Sequence, residues 1–300
     1  MPILQKKIWI ILFKALVLLG SYGFIAYRLG FDPTLRNQLL NGELSTNSTI
    51  WLLLAFFMMP LNWSLEAIKW QILLRPLEKT SFRKAFIGVL AGIGVAIFTP
   101  NRTGEYLGRI WVLKHKNRPA GVSITIAGSL AQSTVTFIVG VIAGWYWLTE
   151  VSKPGLTNLN QMVLASISTL LIIVVYFMLP QIANFLLKYN WKKIIKSALD
   201  GVGSLRIKHQ YSALIISILR YAVFTTQFII LLHYFQCEMQ LIESIVAIGM
   251  LYAAMLIIPS ITVAEPGIRG SLSLLIFSVF SENEAGILAA SLTLWIINLA

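Results

Sequence analysis

Long apolar runs separated by short polar and basic patches make up nearly the whole chain. A helix needs about 20 apolar residues to cross ~30 Å of hydrocarbon. Six stretches reach or approach that length: Ile8–Tyr27, Ile50–Leu74, Gly121–Leu148, Gln161–Pro180, Tyr211–Phe235 and Ala285–Ala300. Two further apolar stretches, residues 85–113 and 243–280, are each interrupted near their middle, by Pro100 and by the segment Pro259 to Gly270. At ~1.5 Å per residue, each half of 85–113 reaches only about 20 Å, too short to span. Pro100, Asn101 and Gly104 favour a turn at the break.

Residues 85–113 fit either one broken crossing or a re-entrant hairpin that enters and leaves on the same side. Loop charge separates the two. With a hairpin, Lys6, Lys7, Arg75, Lys79, Arg83, Lys84, Lys114, Lys116, Arg118 and the basic residues from Lys188 to Lys208 share one side, and only Arg28, Arg36 and Lys153 face the other. A single crossing destroys that bias. Basic loops are retained in the cytoplasm, so a hairpin and a cytoplasmic N-terminus are predicted. Irregular backbone at membrane depth needs protein or water around it, so other helices should enclose the hairpin.

Each half then reads as span, span, hairpin, span, over residues 1–150 and 151–300, the second inverted relative to the first. The predicted fold is an all-α polytopic membrane protein of about six full spans and two Pro-broken re-entrant hairpins, arranged as inverted repeats. Alternating-access transporters use that arrangement.

Composition agrees. The chain is 57% hydrophobic and 12% charged, with mean hydropathy +0.76, whereas soluble domains carry about 25% charged residues. The net charge of +12 sits in short loops and suits an anionic leaflet; no nucleic-acid partner is expected. The basic loop Gln181–Gln210 contains an amphipathic part expected on the membrane surface. Trp145, Tyr146 and Trp147 read as an interfacial belt. The single Cys237 excludes an internal disulfide, and His115, His209 and His233 have no ligand spacing. No metal or cofactor is expected.

Candidate chemistry lies in the ionisable residues inside apolar stretches, which usually face a cavity or each other. Asn62, Glu66 and Lys69 or Trp70 recur on one helical face, with Glu66 and Lys69 an i, i+3 pair. Arg102, Glu105 and Arg109 follow the first break, and Glu265 and Arg269 repeat the Glu-x-x-x-Arg spacing after the second. Arg220 interrupts another span, with Gln227 further along. It needs Glu66, Glu105 or Glu265 as a partner, and spacing does not rank them. In Gly121–Leu148 the small residues predict close packing, and Gln132 stands out as a candidate contact. Pro100, Gly104, Pro259 and Gly267 are candidate hinge positions. The competing reading is that the paired charges only neutralise each other and hold the hairpins.

Asn62-x-x-x-Glu66-x-x-Lys69-Trp70 followed by Thr99-Pro100-x-Arg102-x-Gly104-Glu105-x-x-x-Arg109 resembles the flippase-like membrane region of the lysylphosphatidylglycerol synthase family. The resemblance covers essentially the whole chain without the family's aminoacyl-transfer domain. In the second half Gly270 stands where the family often has an acidic residue, and Glu265 lies earlier. The resemblance implies movement between leaflets of a lipid, or a lipid-linked molecule, with an anionic or zwitterionic headgroup. Arg102, Arg109 and Arg269 would hold a phosphate. Glu66, Glu105 and Glu265 would balance charge, accept an ammonium or take a proton. The setting is the cell (inner) membrane, and no catalytic residue is expected, since neither a nucleophile elbow nor a phosphate-cradling loop is present. A lipid-modifying enzyme and a non-transporting scaffold are the alternatives.

Overall fold

The computed structural model describes residues 19–28, 30–31, 33, 48–99, 103–152, 159–258 and 264–299. Among them the regular structure is helical throughout, and four helices are long and apolar enough to cross a membrane. In chain order the elements are α1 (Ile50–Leu74), α2 (Phe82–Ala96), α3 (Gly104–Ile110), α4 (Arg118–Tyr146), α5 (Leu159–Leu186), α6 (Lys193–Gly203), α7 (Ile207–Tyr234), α8 (Leu241–Ile257), α9 (Glu265–Phe277) and α10 (Glu284–Leu299). Most of the expected first span, and Pro100, Arg102 and Pro259, lie outside the described residues. The long helices α1, α4, α5 and α7 coincide with expected spans, while α8 and α10 are shorter apolar helices.

One boundary differs instructively. The fifth helix was expected to stop at Pro180, but α5 continues through it to Leu186. Proline donates no hydrogen bond and so strands the carbonyl four residues back, here that of Tyr176. Gln210 Nε2 donates to that oxygen at 2.7 Å, and Tyr176 Oη returns a bond to Gln210 O at 3.1 Å. A distant side chain satisfies the break, as a buried polar group requires.

The chain divides into two compact units, Pro60–Phe98 with Arg102–Phe224, and Met1–Met59 with Thr99–Asn101 and Thr225–Ala300. The first has an apolar core around Trp70, Leu73, Val89, Ile124, Ala131 and Tyr176. Trp70 is fully buried. Its indole donates to Thr125 Oγ1 at 2.9 Å, and its ring occupies the space a side chain at Gly88 would need. The amphipathic α6 docks on α4 and α5: a Cβ at Gly201 would meet Ala120 O at 2.7 Å, and Ser123 Oγ donates to Ala198 O at 2.6 Å. Lys193, Ile194, Ile195 and Lys196 remain exposed.

Within the same unit α2 and α3 run antiparallel. Gly88 lies against Val112, Gly92 against Glu105 and Arg109, and Gly108 against the Ala91–Gly92 backbone. These pairings run in opposite directions along the two helices, so the chain reverses between α2 and α3. The two ends of the doubled segment are tied by Glu78, which follows α1. Its carboxylate accepts from Lys84 Nζ at 3.0 Å, Asn117 Nδ2 at 2.9 Å and the Lys114 amide at 3.3 Å. The segment therefore returns to where it began.

In the second unit Gln227 Nε2 donates to Ala55 O at 2.8 Å, and Asn298 Nδ2 donates to Gln227 Oε1 at 3.0 Å. Phe228 and Phe277 stack at 5.3 Å between centroids, and Ser271 Oγ reaches Ser21 O at 2.8 Å. Gly267 lies against Ser21 and Tyr22, where a Cβ would come within 2.9 Å of the tyrosine ring.

Gly108→Ala would put a methyl 2.5 Å from Ala91 O and 2.7 Å from Gly92 Cα; backbone atoms cannot swing aside. Overpacking of this kind is expected to cost about 1–3 kcal/mol, read as a lower thermal midpoint of the purified protein. Gly94→Ala, with open space at its Cβ, should leave the midpoint nearly unchanged. A second prediction concerns acid. Burial by itself would raise the Glu78 carboxyl, but the Asn117, Lys84 and Lys114 hydrogen bonds outweigh it and hold the group below its ordinary value. A depressed carboxyl stabilises the fold above its unfolded pKa, and that contribution fades as pH falls through the folded one. Thermal scans should show Glu78→Gln less stable than the parent at neutral pH, and the gap should close below the ordinary glutamate range.

Candidate functional site

Helix α1 carries both of its charged residues, Glu66 and Lys69, on one face with Asn62, all three buried. An unpaired carboxylate there would be untenable. Glu66 is instead shared by three cations. Lys69 Nζ lies 2.8 Å from Oε2, one turn along the same helix. Arg109 Nη1 from α3 reaches Oε1 at 2.6 Å. Arg220 Nη1 from α7 also pairs with Oε2.

The outer ring of contacts orients those cations. Arg109 Nη2 pairs with Glu105, one turn earlier in α3. Glu105 sits in the first turn of its helix, where the dipole favours a negative charge. Arg220 Nε donates to Asn62 Oδ1 at 2.8 Å, and its Nη1 also lies 3.3 Å from Gln132 Oε1. Gln132 is held by its own amide, which donates to Ser217 O at 3.3 Å. The Arg220 guanidinium lies 5.7 Å from the Phe224 ring centre, within cation–π range.

Two features give this network chemical potential. Two carboxylates, Glu66 and Glu105, face three cations, Lys69, Arg109 and Arg220, so the named groups carry an excess positive charge. In addition Arg109 Nε and Asn62 Nδ2 are buried donors with no hydrogen-bond partner among the described residues. Most buried donors are satisfied; here two remain on residues of a cationic cluster.

The second unit carries a smaller counterpart. Glu265 opens α9 and pairs with Arg269 at 3.4 Å, and Tyr252 of α8 stands beside Arg269. Arg269 Nε is again a buried donor without a partner among the described residues. Both Glu-x-x-x-Arg pairs thus form, each at the start of a helix after a break.

Of the residues singled out in the sequence, Asn62, Glu66, Lys69, Glu105, Arg109 and Arg220 converge in one network. Gln227 does not take part; its hydrogen bonds go to Ala55 and Asn298. Gly104 begins α3 and is buried. Phe224 was missed, although its i+4 spacing from Arg220 was there to be read. Of the small residues in α4, Gly128 packs against Leu73, whereas Gly144 meets nothing within 4 Å.

Removing Glu66 should be the costliest single change here, since Glu66→Gln leaves three buried cations with one less counter-charge. Breaking a buried pair costs roughly 3–5 kcal/mol. In a double-mutant cycle with Arg220→Gln, the two losses should fall short of additive by about 0.5–3 kcal/mol, measured by thermal or chemical unfolding. Additive losses would mean that the two groups do not interact.

No curated protein and no solved structure matches the chain. A family model described as the lysylphosphatidylglycerol synthase TM region matches residues 11–300. That match, together with the apolar helices, identifies a multi-pass membrane protein, and the chain belongs to the family of the lysylphosphatidylglycerol synthase membrane region.

Proposed function

We propose that the protein moves a phosphate-bearing lipid, or a lipid-linked molecule, between the leaflets of the cell membrane, with the Glu66 network as its headgroup site. The observation that carries this reading is a buried network in which, among the described residues, three cations share two carboxylates and the donors Arg109 Nε and Asn62 Nδ2 have no hydrogen-bond partner. Net charge in an apolar interior is expensive, and a phosphate would neutralise it. Guanidinium forks match phosphate oxygens bidentately. Arg109 and Arg220 would exchange part of their bonding to Glu66 for bonding to the headgroup, and Glu66 and Glu105 would reclaim them when it leaves. Such an exchange keeps every charge partnered throughout, which lowers the barrier to passage.

The doubled α2–α3 segment supports the reading. A pair of short helices, tied at its base by Glu78, suits a hairpin that enters the membrane from the cytoplasmic side and returns. The distribution of basic residues among the loops favours a cytoplasmic side for its ends and for the N-terminus. The second Glu-x-x-x-Arg pair, Glu265 with Arg269, supports an inverted repeat of residues 1–150 in residues 151–300, the organisation alternating access requires.

Purified protein in liposomes distinguishes the readings. With a headgroup-labelled anionic phospholipid, a transporter changes leaflet exposure without changing lipid mass, an enzyme changes the mass, and a scaffold does neither. Arg109→Gln and Glu105→Gln should each lower the transport rate at least about tenfold, since a charge-assisted hydrogen bond is worth roughly 1.5–3 kcal/mol, while both variants still reconstitute. Parental rates in both would remove the network from the translocation path.

A further inference from the structure

A second cationic feature of the same unit plays no part in the Glu66 network. Beyond the end of α1 and at the start of α7 lies an open cleft of about 570 Å³, lined by Arg75, Arg206, Lys208, His209, Ser204 and Ser212. Its first lining residue, Ile72, stands six residues past Glu66, about 9 Å along the helix axis at ~1.5 Å per residue, and its first cation is Arg75. The lining contains no carboxylate. None of Arg75, Arg206 and Lys208 forms an ion pair among the described residues. All three cations act on His209.

His209 forms the buried part of the wall, with 8% exposure. Its Nδ1 accepts the Arg206 amide at 3.1 Å. The neutral ring therefore carries its proton on Nε2, where it is a donor. The first turn of α7 adds the positive end of a 28-residue helix, which favours an anion. Three cations held together without a counter-charge repel each other, and a polyvalent oxyanion relieves that repulsion while accepting several donors at once. Two guanidinium groups, an ammonium and an imidazole N–H suit the geometry of a phosphate.

We infer that this cleft is a phosphate-binding site separate from the Glu66 network, taking either a lipid headgroup phosphate or a free phosphate. It does not rest on the transport reading, because Glu66→Gln removes no residue of the cleft.

The test uses the full chain, labelled with 15N-histidine, in phosphatidylcholine nanodiscs. The His209 ring signals are assigned by their loss in His209→Gln. One arm adds inorganic phosphate, a second adds sodium chloride at matched ionic strength, and a third replaces part of the lipid with phosphatidylglycerol. The inference expects His209 to shift with phosphate, with phosphatidylglycerol or with both, and not with chloride. A response to phosphate alone assigns the site to a free anion, and a response to phosphatidylglycerol alone assigns it to a headgroup. Arg206→Gln or Arg75→Gln should weaken the response about tenfold, and Arg206→Lys should retain part of it. His115 and His233 signals report whether each variant is folded; Lys208→Gln, at an exposed position, replaces any that is not. No shift in either phosphate arm, an equal shift with chloride, or shifts unaffected by the substitutions would overturn the inference.

Discussion

The sharing of one carboxylate among three cations constrains much of the first unit. Glu66 lies in the middle of an apolar helix, where an ionised side chain persists only if paired and hydrogen-bonded. Lys69 supplies local compensation because one helical turn brings it to the same face. The other two partners come from elsewhere in the chain, so α3 and the first half of α7 must lie where their arginines reach α1. Ion pairing here acts less as a source of net stability than as a requirement on arrangement: any fold that separates these elements strands a charge.

That requirement explains the glycines between α2 and α3. Arg109 can approach Glu66 only if its helix lies close against α2, and the Gly108 contact with the Ala91–Gly92 backbone leaves no room for a side chain. Small residues allow the close approach, and Trp70 fills the volume left at Gly88. Glu78 completes the arrangement from the loop side, joining the two ends of the doubled segment through Lys84, Lys114 and Asn117. Close packing and polar satisfaction thus point to the same conformation, as consistency across levels requires of a well-specified fold.

Function enters where satisfaction is incomplete. Among the described residues the named groups carry more cations than carboxylates and leave buried donors at Arg109 and Asn62, and Arg269 keeps a buried donor of the same kind in the other unit. A purely structural network would gain from closing those gaps. The proposed headgroup site would use them to bind and release an anion. The cleft at Arg75 and Arg206 repeats the logic at the end of α1, with cations present and carboxylates absent from its walls.

Local spacing made much of this readable in advance. The extents of α1 and α7, the shortness of the two halves of residues 85–113 and both Glu-x-x-x-Arg pairs follow from apolar length, helix rise and i, i+4 geometry, which are properties of neighbouring residues. The choice of Glu66 as partner of Arg220, the placing of Gln132 beside that arginine and of Gln227 beside Asn298, and the passage of α5 through Pro180 because Gln210 rescues a carbonyl came only with the folded chain. Each joins residues far apart in sequence, and three glutamates of equal charge looked alike to Arg220 until packing brought one of them within reach.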